Sequence, residues 1–272
     1  MGFWPIVMNV LRNSDVVLLL VDARMPEITR NSEIVDKVEK MKGKRLIIIF
    51  NKSDLIGRKE IEKLKKDYPN AFFVSSTKRT GVKNLKAALE NMAENWDKPS
   101  LRVGLVGYPN IGKSTLINLL APVARAKVSA VAGTTKKTQW VRTGKLRIMD
   151  SPGIIPFGDR KVQVGMTAAK DPHKIKNPEK VAIRIIEFLM KREGNLLKKY
   201  YGVTVGNVVG GSELGVGSAT DDHAKGSVKD AYEIFEDIGH KMGYLVKGGE
   251  VDENRVSIKV IDDWQKGRIK LK

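Results

Sequence analysis

Cysteine is absent from the 272 residues, histidine occurs three times and aromatic residues make up only 6%. Without a thiol there is no disulfide scaffold, no thiolate metal site and no cysteine nucleophile, and the scattered His173, His223 and His240 do not suggest a zinc centre. Long apolar runs are missing as well. The best candidates, Val16 to Val21 and Leu46 to Phe50, fall far short of the ~20 residues that span a bilayer, and their length suits buried strands. The opening residues show no basic segment followed by a cleavable apolar stretch, and Ile6 stands where a myristoylation signal needs Ser or Thr. The expectation is a soluble, unprocessed, cytoplasmic chain without membrane contact.

What the sequence has in excess is positive charge: 49 Lys and Arg against 31 Asp and Glu, a formal +18. Residues 1–100 carry 19 basic and 13 acidic residues, 101–160 carry 10 and 2, and 161–272 carry 20 and 16. A basic tail would load one end; here the excess is densest in the middle, which suggests a folded surface facing a polyanion. A solvated face that only keeps the chain soluble is the alternative. With 42% hydrophobic residues there is material for a core, and the length suggests one large domain or two.

Local patterns alternate. A helix begun by Pro5 (Ile6 to Arg12) precedes the strand Val16 to Val21, and Ser32 can cap a helix over Glu33 to Met41. The strand Leu46 to Phe50, a charged helix Lys59 to Lys66, the strand Ala71 to Val74 and a helix Val82 to Met92 follow. After a connector at Lys98 and Pro99 come the strand Val103 to Val106, the helix Lys113 to Leu120 and the strand Leu146 to Met149. Continuous apolar strands alternating with helices predict an α/β fold with a parallel sheet covered on both faces. Beyond Pro156 helical periodicity takes over, with helices expected at Asn177 to Lys191, Val228 to Met242 and Glu253 to Lys266. The domains read as 1–158 (α/β), 159–176 (connector) and 177–272 (mainly helical). The glycine-rich stretch 202–226 reads as a flexible loop, with a phosphate cradle as the weaker alternative.

Gly107-Tyr-Pro-Asn110-Ile111-Gly112-Lys113-Ser114 fits G-x-x-x-x-G-K-[ST] between a strand and a helix, and Thr115 continues it. Such a loop points backbone N–H groups at phosphate oxygens, Lys113 neutralises the β and γ phosphates, and the Ser114 hydroxyl can ligate Mg²⁺. Asp150-Ser-Pro-Gly153 follows the strand Leu146 to Met149, where a carboxylate can orient the magnesium and Gly153 can donate its N–H to a γ-phosphate. Asn51-Lys52-Ser53-Asp54 follows the strand Leu46 to Phe50. A carboxylate at Asp54 can accept from guanine's ring N–H and exocyclic amine, a donor pair that adenine lacks, while Asn51 and Lys52 hold the base loop and cover the ring. Ser75-Ser76 could offer a backbone N–H to the guanine carbonyl or be a simple turn. In Ala132-Gly-Thr134-Thr135-Lys136-Lys137, Thr135 is the residue expected to close the magnesium shell.

Base-reading motif, Ser-Ser loop, phosphate loop, switch Thr and D-x-x-G stand in a rotated order. That order resembles the circularly permuted GTPases and, within them, the YlqF/YawG group of ribosome-assembly factors. Asp22-Ala-Arg24-Met-Pro26, Gly248-Gly-Glu-Val-Asp252, Asp262-Asp263-Trp264 and Gly267-Arg268 match further signatures of that group. Its His-Met-x-Lys opening is not matched: Met8-Asn-Val10 stands there without a His. The resemblance implies a P-loop GTPase domain with a smaller helical C-terminal domain. It further implies GTP and GDP as ligands, Mg²⁺ as cofactor, the large ribosomal subunit and its rRNA as partner, and a monomer. Lys113, Thr135, Gly153 and Asn110 form the expected catalytic set. Asn110 resembles the Asn that holds K⁺ in related GTPases, and a plain turn residue is the alternative. Ile154 occupies the position where ordinary GTPases often place a water-orienting Gln, which implies slow turnover until a ribosomal partner acts. Lys136, Lys137, Arg142, Lys145 and Arg147 are the expected RNA-phosphate contacts. A nucleotide-gated RNA-binding module with negligible hydrolysis stays open, and an ATP-dependent kinase is disfavoured by Asp54.

Overall fold

A computed structural model describes residues 4–122, 139–153, 161–205 and 229–272. The chain forms two compact units, residues 1–175 with 270–272, and residues 176–269. In the first, α1 (Trp4–Asn13) leads into β1 (Val16–Asp22), followed by α2 (Pro26–Thr29), α3 (Ser32–Glu39), β2 (Arg45–Asn51), α4 (Arg58–Asp67), β3 (Phe72–Phe73) and α5 (Val82–Glu94). Then come β4 (Leu101–Gly107), α6 (Lys113–Leu120), β5 (Gln139–Thr143), β6 (Leu146–Asp150) and α7 (Lys161–Met166). No helix among the described residues is long and apolar enough to cross a membrane.

The six strands lie in the order β3-β2-β1-β4-β6-β5. β1 is central, pairs in parallel with both β2 and β4, and is buried along its whole length. Its uninterrupted VVLLLVD sequence follows from that position: both faces are covered, so polar alternation has no place. Val16, Leu18 and Leu20 pack with Leu85 and Leu89 of α5 and Leu116, Ile117 and Leu120 of α6. α1 packs onto β4, and a Cβ at Gly104 would stand 2.7 Å from the Val10 side chain and 2.2 Å from Ser14 Oγ, so only glycine permits that approach.

Three expectations need correction. The sheet is mixed, because β5 runs antiparallel to β6 and joins it through a tight turn at Gly144 and Lys145, with Gly144 at φ +54°. Gln139–Thr143 mixes polar and apolar residues, so it lacks the apolar run that marked the other strands. The cap of α3 is Asn31, whose side chain accepts from the Ile34 N–H at 3.1 Å, and Ser32 is already helical. β3 shrinks to two residues, since only Ile49 and Phe50 of β2 pair with it.

The chain runs outward from β1 to β2 and β3, then returns to β4 on the other side and continues to β6. The connection therefore reverses between β1 and β4, and the carboxyl ends of these strands form the switch point where open α/β sheets bind ligands. The terminus of the chain also belongs to this unit: the Leu271 N–H donates to the Leu55 carbonyl at 2.7 Å, and Ile56 and Leu271 form a parallel bridge.

In the second unit α8 (Pro178–Glu193), α10 (Ala231–Lys241) and α11 (Glu253–Gln265) pack on one another, and α9 (Asn195–Tyr201) follows α8. Val181, Ile185 and Leu189 repeat at helical spacing on the buried stripe of α8, and Ile234, Phe235 and Ile238 do so on α10. Asp230 and Glu233 build a capping box at the start of α10. Trp264 is fully buried, with the Phe188 ring edge-on at 5.4 Å. Trp264→Ala should cost this unit about 3–5 kcal/mol. Chemical denaturation followed by circular dichroism is expected to show an early helical transition while the ligand-protected transition of the first unit stays in place.

Candidate functional site

The motifs that are far apart in sequence meet at the carboxyl ends of β1, β2, β4 and β6. Asn51 is the junction. Its buried side chain donates Nδ2–H to the Ile111 carbonyl at 2.7 Å, and its Oδ1 accepts from the Ser76 backbone N–H and hydroxyl, both at 3.0 Å. One amide thus ties the phosphate loop to the Ser-Ser loop, using its donor and its acceptor together. Gly112, at φ +104°, makes this possible, because a Cβ there would stand 2.3 Å from Asn51 Nδ2.

Asn51 also places the rest of its motif. Its carbonyl accepts from the Ala23 N–H at 2.9 Å, and the Ser53 N–H reaches the Val74 carbonyl at 3.1 Å. Lys52 takes a left-handed conformation at φ +60°, and its ammonium lies 2.8 Å from Asp22 Oδ2. Asp54 is half-buried in the short 3-10 turn Ser53–Leu55, and its carboxylate has no hydrogen-bond or ion-pair partner among the described residues. A free acceptor pair at that point is what recognition of a guanine edge requires.

The phosphate loop rises from Gly107, where φ is +147° and a Cβ would meet the Leu20 carbonyl at 2.7 Å. Lys113 is buried, and its ammonium donates to the carbonyls of Gly107 and Tyr108 at 3.0 and 2.7 Å. Burial lowers its pKa to about 8, against the opposing pull of Asp150. Ser114 Oγ donates to Asp150 Oδ2 at 2.7 Å, which sets two hard oxygen donors side by side. Such a pair fits Mg²⁺, which takes one or two protein oxygens and fills its shell with water and phosphate. Gly153 closes against the phosphate loop: a Cβ there would lie 2.5 Å from Pro109 N. Asn110 is left-handed at φ +54° and donates its amide to the Ala168 carbonyl at 2.8 Å, so it clips the loop to the segment after α7.

With this geometry established, comparison with known proteins becomes specific. Residues 102–201 match the family described as 50S ribosome-binding GTPase. A GTP-binding protein of Methanocaldococcus jannaschii is 36% identical over 97% of this chain and 65% of its own length. Nucleolar GTP-binding protein 2 of Pneumocystis carinii is 31% identical over 98% of this chain and 52% of its own. The chain thus spans about half to two thirds of the relatives it matches. Among solved structures, GDP-bound YlqF of T. maritima superposes with a TM-score of 0.61 at 22% identity, covering 97% of this chain and 96% of that one.

The fold is that of the circularly permuted GTPases. The Asn51–Asp54 segment follows β2 and the phosphate-loop sequence follows β4, and the sheet keeps both at one edge. The Ser75 and Ser76 backbone N–H groups are already donated, to the Thr80 carbonyl and to Asn51 Oδ1, so neither is free to meet a guanine carbonyl in this arrangement. Thr135, Lys136, Lys137 and Ile154 lie outside the described residues, as does the glycine-rich stretch from Gly206 onward. Thr115 sits half-buried in the first turn of α6. Sequence reading assigned no role to Asp22 and Arg24, although their motif had been noticed.

The expectation of a cytoplasmic protein is overturned. Relatives aligned over 98% of the chain are named nucleolar or nuclear GTPases.

Two outcomes follow from the site. Asn51→Ala removes both halves of the bridge and leaves the Ile111 carbonyl and the Ser76 N–H unsatisfied, so GDP affinity should drop about a hundredfold in a fluorescent-nucleotide titration. Phosphate bound at Lys113 raises its pKa again, so binding takes up a proton above pH 8. Calorimetry should show no such uptake below pH 7, and affinity falling by up to about tenfold per unit above pH 8.

Proposed function

We propose that this chain is a circularly permuted GTPase that binds GTP and hydrolyses it in large-subunit ribosome assembly, as a monomer whose turnover is slow until ribosomal RNA or a pre-ribosomal particle engages it. The observation that carries the reading is the Asn51 bridge: a motif whose chemistry suits guanine and a loop whose chemistry suits phosphates are tied side by side by one buried amide. Lys113 and the loop N–H groups hold the β and γ phosphates, Asp54 reads the base, and Gly153 and Thr135 sense the γ-phosphate. Magnesium, held by Ser114 and Thr135 and oriented by Asp150, would neutralise charge developing between the β and γ phosphates. Asn110 is the residue through which K⁺ could add to that neutralisation. The side chain after Gly153 is Ile154, which cannot orient water, so a partner must complete the site.

The RNA partner is supported by charge. From Lys98 to Met149 the chain contains no acidic residue. On the β5–β6 hairpin Arg142 and Arg147 are exposed and stand directly opposite each other, with Lys145 exposed in the turn and Trp140 40% exposed on β5. None of the three cations has an ion-pair partner among the described residues. Like charges in cross-strand register cost stability in isolation, and a phosphate backbone relieves that cost. The second unit, expected as residues 177–272 and compact over 176–269, is the second proposed contact.

Phosphate release should be slow for the protein alone and rise when large-subunit particles are added, in potassium more than in sodium. Absence of release in every condition would favour the second reading, a nucleotide-gated RNA-binding module, which Ile154 keeps in play. Arg142→Glu with Arg147→Glu should weaken particle binding and reduce the slope of log affinity against log salt by about one per lost phosphate contact, leaving GDP affinity unchanged.

A further inference from the structure

Asp22, the last residue of β1, is buried and has both carboxylate oxygens committed. Oδ1 accepts from the Arg24 backbone N–H at 3.1 Å and from its Nε–H at 3.0 Å, while Oδ2 accepts from the other arm of the same guanidinium at 2.9 Å and from Lys52 Nζ at 2.8 Å. Arg24 is fully buried, and the loop behind it is fastened by Thr29, whose hydroxyl accepts from the Asp22 N–H at 2.9 Å and donates to the Met25 carbonyl at 2.7 Å. One buried anion therefore serves two cations, Arg24 out of water and Lys52 partly exposed. Such triads are poor devices for stability, since apolar side chains of equal volume do as well or better. Their use lies in fixing a geometry, and the geometry fixed here is that of Lys52, whose backbone is itself held in the left-handed region.

We propose that Asp22, oriented by the bidentate grip of Arg24, is a positioning residue for guanine recognition: it holds the Lys52 ammonium so that the lysine stem lies against the purine ring. The proposal rests on the guanine-site reading above and assigns part of its specificity to a residue on a different strand from the base motif. Lys52 without Asp22 would face Arg24 as a like charge, and burial already pulls its pKa down, so it would lose its proton or swing into solvent. Arg24 makes the arrangement one-sided. Its planar fork fixes the carboxylate plane, so that Oδ2 meets the lysine in a set direction while still accepting from Arg24.

The test is a double-mutant cycle on nucleotide affinity with Asp22→Asn and Lys52→Met, each variant checked for folding by thermal melting. Each single change should weaken GDP about tenfold or more, and the double variant should bind no worse than the weaker single one. The loss should be the same for GDP and for a non-hydrolysable GTP analogue, because the clamp acts at the base and not at the phosphates. If Asp22→Asn costs as much in the Lys52→Met background as in the native one, Asp22 acts through the fold alone and the proposal is overturned. If Lys52→Met leaves GDP affinity untouched, the guanine-site reading itself is at fault. Should Asp22→Asn not fold, Asp22→Glu, which keeps the charge and moves the carboxylate by one methylene, runs the same cycle with the same expected non-additivity.

Discussion

A single buried amide holds this site together. Asn51 spends its N–H on the phosphate loop and its oxygen on the Ser-Ser loop, and nothing but an unbranched amide of that length supplies both. An aspartate could not donate to Ile111, and a leucine would leave two buried backbone groups without partners. The glycine at 112 is the other half of the same constraint, since any side chain would occupy the space that the amide fills. The bond runs between segments sixty positions apart, so the pocket is a product of sheet order and not of local sequence.

Charge is arranged around that junction before any ligand arrives. Lys113 rests on carbonyl oxygens of its own loop, Ser114 on Asp150, and Lys52 on Asp22. Each of these contacts involves a group that a nucleotide or its metal would engage, so ligand binding exchanges partners instead of ordering free side chains. Pre-organisation of this kind reduces the entropic cost of binding. The close approach of Gly153 to Pro109 extends it to the far side of the loop, so the D-x-x-G segment and the phosphate-loop sequence are already in touch.

Permutation leaves this arrangement intact because parallel strands communicate through their carboxyl ends, whatever the order in which the chain visits them. β1, β2, β4 and β6 all deliver their last residues, Asp22, Asn51, Gly107 and Asp150, to one edge. Much of this was legible in the sequence. Apolar runs marked the buried strands, and glycine, lysine and aspartate at fixed offsets marked the loops, because those residue types have few other reasons to stand there. What escaped were features decided by partners across the sheet. β5 hid because buried Val141 stands between exposed Trp140 and Arg142; Asn31 displaced Ser32 as a cap through geometry one residue away; and the Ser76 N–H was claimed by Asn51, which no spacing rule reveals. The Asp22–Arg24–Lys52 cluster was invisible for the same reason: its members are neighbours only once β1 lies beside β2.

The facing arginines of the outer hairpin have a second consequence. β5 ends the sheet, and the last strand of any sheet offers its backbone as a template for another chain. A second copy laid edge to edge would stack Arg142 and Arg147 against their own kind, with no carboxylate from Lys98 to Met149 to soften the encounter. Charges of one sign on this hairpin would thus guard the edge against self-association.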